Sequence, residues 1–299
     1  MDGATSMKGN ILAGGSGSRL DHVTRVVNTQ LLPVYDKPMV HYPISILMLA
    51  GIQEFLVISN ADALPSFEKL LGDGSDLGVR FSYAVQDAPR GLAEAFLIGE
   101  DFIGEGDCAL ALGDNIFFGH GLPDQLRTAI GTNPGATVFA YRVADPERYG
   151  IVELDGRGAP LAFEEEPAWP KSRWAVMGLY FFDNDVVDIA RKVTPSARGG
   201  LEIVDIHEAY LARGKMRVEK FGRGIAWLDT GTHEALLQAA QFVETVERRQ
   251  GQKISCLEEI ALRMGFIDRD AFSALVGRRS ESANGAYLRA VLEEIDSGR

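Results

Sequence analysis

The apolar positions of the chain fall into short buried runs separated by stretches of helical spacing. Residues 8–13 form a compact run that ends at Gly14-Gly15-Ser16-Gly17-Ser18, which reads as a strand entering a flexible loop. Helical spacing follows over 42–50, then a strand over 55–59, a helix over 64–71 and a strand over 79–85. Residues 91–99 carry small and apolar side chains at helical spacing, and 109–112 read as a strand running into Gly113-Asp114-Asn115. Strand alternating with helix in this way predicts an α/β fold, with a mixed, mostly parallel central sheet flanked by helices. In such sheets ligands bind beyond the carboxyl ends of the strands, where both glycine-bearing loops fall.

The second half is more mixed. Strands are expected at 137–141, 151–154, 162–165 and 175–182, and helices at 202–213 and 234–249. The tail, 257–292, carries helical patterns separated by Gly265 and Gly285. No Pro/Ser-rich linker and no internal repeat divides the chain. The economical organisation is one core over 7–240 with a helical C-terminal region, 241–299, packed on it.

Composition narrows the function classes. Hydrophobic content of 46% and charged content of 24% are those of a globular chain rather than a disordered one. A net charge of -12 argues against a nucleic-acid partner, which would need a basic surface. It leaves room for a nucleotide, since loops and helix N-termini bind phosphate locally. Apolar runs such as 44–50 are too short to span a bilayer, so no membrane partner is expected. The segment MDGATSMKGN has no basic region followed by an apolar stretch, so no secretory leader is expected and a cytoplasmic location is the default. Met7-Lys8-Gly9 reads as a natural start preceded by six loose residues. Cys108 and Cys256 lie far apart, and Cys108 falls in an apolar run where a buried thiol is expected. His22, His41, His120, His207 and His233 show no i,i+4 pairing, so no zinc or iron site is assigned.

The loop after the first strand is the leading candidate for chemistry. Its glycines let backbone N–H groups converge on an anion, and Arg19 adds charge-assisted hydrogen bonds to phosphate oxygens. It lacks the Gly-Lys-Ser/Thr of a Walker loop and the third glycine of a dinucleotide fingerprint, and a plain tight turn explains it equally well.

Longer stretches decide between these. Leu12-Ala13-Gly14-Gly15-Ser16-Gly17-Ser18-Arg19-Leu20 and Gln30-Leu31-Leu32-Pro33-Val34-Tyr35-Asp36-Lys37-Pro38-Met39 resemble consecutive signatures of the sugar-1-phosphate nucleotidyltransferases. Leu112-Gly113-Asp114-Asn115-Ile116-Phe117, Glu147-Arg148-Tyr149-Gly150, Pro195-Ser196-Ala197-Arg198-Gly199 and Trp227-Leu228-Asp229-Thr230-Gly231-Thr232 follow in order and are similar to motifs of glucose-1-phosphate thymidylyltransferases. The resemblance spans roughly 7–292. It implies a Rossmann-like nucleotidyltransferase fold with a nucleotide half over about 7–135 and a sugar half over about 136–240. The implied reaction joins a nucleoside triphosphate (dTTP or UTP) to a sugar-1-phosphate, giving a nucleotide sugar and pyrophosphate. Implied too are Mg²⁺ and a homo-oligomer, commonly a homotetramer.

The same resemblance implies residue roles. Gly14, Gly17, Ser18 and Arg19 would contact the triphosphate, and Gln86 and Gly91 the base. Asp114 and Asp229, the latter read in a tight Trp-Leu-Asp-Thr-Gly turn, would hold Mg²⁺, with Arg19 completing the catalytic set. Tyr149, Gly150, Glu165 and Val176 would line the sugar pocket, with Arg198 on the sugar phosphate. Taken alone, Gln86 reads as an exposed polar residue, the aspartates as turn caps, and Glu164-Glu165-Glu166 as a solvated face.

Two positions depart sharply from the pattern. Thr29 and Glu166 stand where the family places phosphate-binding lysines. Glu94 stands for a usual Gln, Ser18 for Thr, Asp21-His22 for Tyr-Pro or His-Pro, and Arg90 and Arg173 are unexpected cations that could restore positive charge. The expectation is nucleotidyl transfer impaired or altered by Thr29 and Glu166. The alternatives are a repurposed enzyme of the same fold acting on a non-phosphate or cationic substrate, and a non-catalytic paralogue that binds a nucleotide or nucleotide sugar.

Overall fold

A computed structural model describes residues 6–15, 17–278 and 281–298. Most of the segment expected to be loose ahead of Met7, and Ser16 of the glycine loop, lie outside the described residues. Among the described residues, thirteen strands run in chain order: Lys8–Leu12 (β1), Pro33–Val34 (β2), Lys37–Pro38 (β3), Glu54–Ser59 (β4), Arg80–Val85 (β5), Cys108–Leu112 (β6), Asn115–Gly119 (β7), Ala136–Arg142 (β8), Ile151–Leu154 (β9), Pro160–Glu164 (β10), Trp174–Phe182 (β11), Met216–Phe221 (β12) and Ile225–Asp229 (β13). The helices are His41–Leu49 (α1), Leu64–Leu71 (α2), Glu94–Ile98 (α3), Glu100–Ile103 (α4), Leu122–Gly131 (α5), Asp185–Ala190 (α6), Ile203–Ala212 (α7), His233–Gln250 (α8), Leu257–Arg263 (α9), Arg269–Arg278 (α10) and Ala283–Asp296 (α11).

The main sheet has the order β10-β9-β11-β6-β1-β4-β5, with β8 paired to β11 and β12. β6, β1, β4 and β5 are parallel neighbours, while β11 runs antiparallel to both β6 and β8. Successive residues of the parallel strands point to opposite faces, and both faces are buried. Ile11, Phe55, Val57, Ala109 and Ala111 join one core cluster with Ile44, Leu47 and Met48 of α1 and Leu257 and Ala261 of α9. Leu12, Leu56, Ile58, Cys108 and Leu110 join the other, with Phe96 of α3, Ile189 of α6 and Ile206 and Tyr210 of α7. This is the expected mixed α/β sheet with flanking helices. Cys108 and Cys256 are buried free thiols. Among the described residues no helix is long and apolar enough to cross a membrane.

Some local expectations change. The Trp-Leu-Asp stretch does not form a tight turn. Trp227, Leu228 and Asp229 end β13, which pairs antiparallel with β7, so the chain turns only after Asp229. Gly285 is not a break between helices: Ser282 caps α11 and accepts from the Gly285 N–H, placing the glycine in the first helical turn. Gly265, with φ of +72°, does separate α9 from α10.

Candidate functional site

The loops after β1, β6 and β13 converge at one edge of the sheet. Asp114 follows β6 and accepts 2.8 Å from Asn115 Nδ2. Asp229 ends β13, where it is paired in register with Asn115 of β7. Thr230 ties the two strand ends together, donating to the Asp114 carbonyl from its N–H at 3.1 Å and from its hydroxyl at 2.7 Å. A methyl group built on Gly231 would fall 2.6 Å from the Arg19 guanidinium and 3.1 Å from Asp229 Oδ1. The absence of a side chain there is what lets Arg19 lie across the turn beside Asp229.

These groups face a cavity of about 160 Å³ lined by Arg19, Asp114 and Asp229 together with Tyr149, Gly150, Glu165, Glu166 and Val176. The loops from both halves of the chain therefore meet in one space. Burial, and then the charge of Asp229, push the Asp114 carboxyl above its ordinary 3.8, with the Asn115 hydrogen bond opposing the shift. A buried carboxylate whose charge is disfavoured by its neighbour Asp229, with both groups beside open space, makes a donor set suited to a divalent cation. Among the described residues no group of three or more His, Cys, Asp or Glu forms a fuller cage. The pair fits Mg²⁺, which takes one or two protein carboxylates and completes its shell with water and phosphate.

On the other wall, the Val176 N–H donates to the Gly150 carbonyl at 2.7 Å, bringing β11 against the loop before β9. Tyr149 packs on Trp227 at 5.1 Å, and the Trp227 indole donates to Asn115 Oδ1 at 2.6 Å. Glu165 lies close under Gly150, and burial holds its carboxyl above the usual range. Glu166 adopts φ of +40°, unusual for a residue with a side chain, and its N–H donates to the Tyr149 carbonyl at 3.2 Å. Arg198 reaches Glu166 Oε2 at 3.0 Å, Glu202 Oε1 at 3.5 Å and Glu165 Oε1 at 3.8 Å. One cation is thus ringed by three carboxylates.

The remaining site candidates lie outside that cavity wall. Gly17 has φ of +60°, and a Cβ on it would sit 2.3 Å from Thr29 Oγ1, so Thr29 packs directly beneath the glycine loop. Thr29 is buried, and its hydroxyl has no partner among the described residues. Ser18 starts the short turn Ser18–Leu20 that carries Arg19 into the site. Gln86 is buried rather than exposed, with its Oε1 against Gly14 and its Nε2 donating to Glu94 Oε2 at 2.8 Å. Arg90 grips the other oxygen of Glu94 at 2.7 Å. Gly91, at φ of +104°, lies so close to the Leu201 backbone that a Cβ would approach its carbonyl oxygen to 2.3 Å.

Sequence reasoning assigned no role to Arg148, Asn115, Trp227, Tyr180 or His207, all of which line the cavity. The first three fall inside recognised motifs, a signal that could have found them. His207 shares a helix face with Ile203, Ile206 and Tyr210, where nothing distinguishes it from a core residue.

A Rossmann-like sheet with a glycine loop, an arginine and two strand-end aspartates gathered at its ligand edge defines the class of nucleotide-handling α/β transferases. A family described as nucleotidyl transferase matches residues 8–246, and the chain belongs to it. It is 54% identical over 282 residues to a glucose-1-phosphate thymidylyltransferase of Neisseria gonorrhoeae, covering 94% of this chain and 98% of the relative. Identity to the enzyme of the same name from Mycolicibacterium smegmatis is 54% over 287 residues, covering 96% and 99%. Among solved structures, a Bacillus anthracis chain described as a glucose-1-phosphate thymidylyltransferase, in complex with sucrose, superposes with a TM-score of 0.73 at 38% identity, covering 79% of this chain and 95% of that one. A UDP-glucose pyrophosphorylase bound to UDP-glucose shares the fold, with a TM-score of 0.73 at 22% identity and coverage of 81% and 100%.

Proposed function

We propose that the protein is a nucleotidyltransferase of the glucose-1-phosphate thymidylyltransferase type whose sugar-phosphate side is altered. The observation that carries the reading is the meeting of Arg19, Asp114 and Asp229 with Tyr149, Gly150, Glu165 and Val176 around one cavity. The reaction joins dTTP or UTP to a sugar-1-phosphate: a phosphate oxygen of the sugar attacks the α-phosphorus in line as the bond to pyrophosphate breaks. Such chemistry asks the protein mainly for alignment and charge neutralisation. Arg19 neutralises the triphosphate beside the loop of Gly14, Gly17 and Ser18. Gln86, fixed by Glu94, and Gly91 hold the base. Tyr149, Gly150, Glu165 and Val176 orient the hexose so that its phosphate faces the α-phosphorus. Asp114 and Asp229 would hold Mg²⁺, which when bound neutralises charge on the phosphate oxygens.

Arg198 is the group left to receive the sugar phosphate, and Glu166 already occupies it at 3.0 Å. An incoming dianion must displace that carboxylate and then lie beside it. This favours a weakened or altered sugar-phosphate site over a wholly conventional one.

Pyrophosphate release from dTTP, glucose-1-phosphate and Mg²⁺ tests the reading. Turnover by the wild type is expected, with kcat/KM for glucose-1-phosphate rising about tenfold or more in E166K, since one repulsive charge is removed and one attractive charge added. The double variant T29K/E166K is expected to gain further. Background rates in all three chains, with tight calorimetric binding of dTTP, would instead identify a nucleotide-binding paralogue.

A further inference from the structure

One wall of the cavity carries a residue that none of these roles uses. His207 on α7 is 1% exposed and borders the cavity. Its ring centroid lies 4.9 Å from that of Phe163, 5.4 Å from Tyr180 and 6.3 Å from Phe182. Among the described residues, neither Nδ1 nor Nε2 has a hydrogen-bond partner. A buried imidazole is ordinarily satisfied at one nitrogen at least, because an unpaired polar group forfeits the hydrogen bonds it would make with water. Packing alone would be met by a phenyl ring without that cost. Burial pushes the His207 pKa down to about 3, so the ring is neutral near pH 7, with one N–H donor and one acceptor nitrogen.

Its place in the sheet says which part of a ligand it could reach. Tyr180 and Phe182, which flank the ring, pair with Leu110 and Cys108 of β6. Asp114 follows the carboxyl end of the same strand, roughly 13 Å beyond Leu110 at the rise of an extended chain. His207 is therefore set back from the aspartates and from the reacting phosphates.

We propose that His207 is a specificity-determining residue whose neutral imidazole hydrogen-bonds a sugar hydroxyl remote from the anomeric phosphate. The inference rests on the nucleotidyl-transfer reading and deepens it by naming a hydroxyl-bearing ring as the group that reaches the cavity's inner wall. A hydroxyl both donates and accepts, so it satisfies whichever ring nitrogen faces it. A deoxy position there leaves the imidazole unpaired, and the analogue is rejected.

The test compares kcat/KM for glucose-1-phosphate with its 2-, 3-, 4- and 6-deoxy analogues in the wild type, H207F and H207N. The wild type is expected to disfavour one analogue by about tenfold, the worth of a neutral hydrogen bond. H207F is expected to lose about that factor on the parent sugar and to treat parent and analogue alike, with KM for dTTP unchanged. H207N, which keeps a donor and an acceptor, retains part of the discrimination. Undiminished discrimination in H207F overturns the proposal. Should neither variant fold, ¹⁵N spectra of the wild-type histidine rings decide: saturating dTDP-glucose is expected to shift one His207 nitrogen, and an unmoved pair overturns the contact. A wild type that turns over none of the sugars defeats the nucleotidyl-transfer reading by itself, while the ring-nitrogen response still decides the role of His207.

Discussion

At the scale of single residues, the site is a balance between charges that need a ligand and charges that already have a partner. Asp114 belongs to the first kind. Burial and the neighbouring Asp229 raise its carboxyl above 3.8, so the folded chain holds a proton that the unfolded chain releases sooner. That difference favours folding at low pH and fades as pH climbs from 3.8 through the raised value. Above it, the ionised carboxylate opposes folding until a cation arrives. D114N is therefore expected to raise the Tm of the ligand-free protein at neutral pH by about 2 °C or more, with the gap narrowing as pH falls toward 4. Pyrophosphate release by the same variant is expected to drop about 10²-fold or more. Scanning calorimetry across pH checks the first part and the coupled assay the second. Arg198 and Arg90 belong to the other kind, held by Glu166 and Glu94 respectively. Arg90, Glu94 and Glu166 stand out in the sequence as departures from a familiar pattern, but not as partners. Arg90 and Glu94 are four apart, but Gly91 at φ of +104° lies between them and α3 starts only at Glu94, so helical spacing does not account for their pairing. Glu166 and Arg198 are 32 residues apart, and only the fold brings them together.

At the scale of elements, α8 shows how the second half is fastened to the first. Thr232 caps its start by accepting from the Ala235 N–H, and its far end lies over the β2–β3 hairpin. There Lys37 Nζ donates to Glu247 Oε1 at 2.9 Å, and the same oxygen accepts from the Ile254 N–H. Both side chains of the pair are buried, with Asp36 and Lys253 closing the network. Removing one member leaves an uncompensated buried charge, which costs far more than a surface pair. E247A is expected to lose about 3 kcal/mol in urea unfolding, and E247Q less, because its amide oxygen can still accept from Ile254. None of this network follows from local pattern, whereas the elements it joins mostly do. The parallel strands and α1 are legible as short apolar runs, that of α1 buried on every side, and α2 and α8 by apolar residues recurring at helical spacing. β7 is not, since only Gly113 and Asp114 separate it from β6 and the two read as one run entering a loop. β12, Met216–Phe221, is half-buried and carries Arg217, Glu219 and Lys220 among its six residues, with Glu219 and Lys220 breaking any strict alternation, so its signal is that of a solvated segment. β13 is masked by the turn residues Thr230 and Gly231 that follow it.

At the scale of the whole molecule, β11 is the seam: it runs antiparallel between β6 and β8, so residues from both halves face one cavity. The order of motifs along the chain makes that convergence legible. The electrostatic field in which the cavity sits is a property of the total charge. The chain carries a net charge of -12, yet its proposed substrates are polyanions. Several arginines near the site are already spoken for: Arg25 by Asp21 at 2.8 Å, Arg148 by Asp145 at 2.8 Å, and Arg198 by Glu166 at 3.0 Å. Arg19 draws a phosphate only at short range, while the surrounding negative field repels it from farther out. Salt separates the two, because the screening length falls from about 30 Å at 0.01 M to about 8 Å at 0.15 M. The association rate of Mg²⁺-bound dTTP, followed by stopped-flow fluorescence, is therefore expected to rise as NaCl increases over that range. This is the reverse of the behaviour of a basic phosphate-binding surface. A falling rate would mean that the arginine cradle, rather than the molecule's overall charge, governs the approach of the nucleotide.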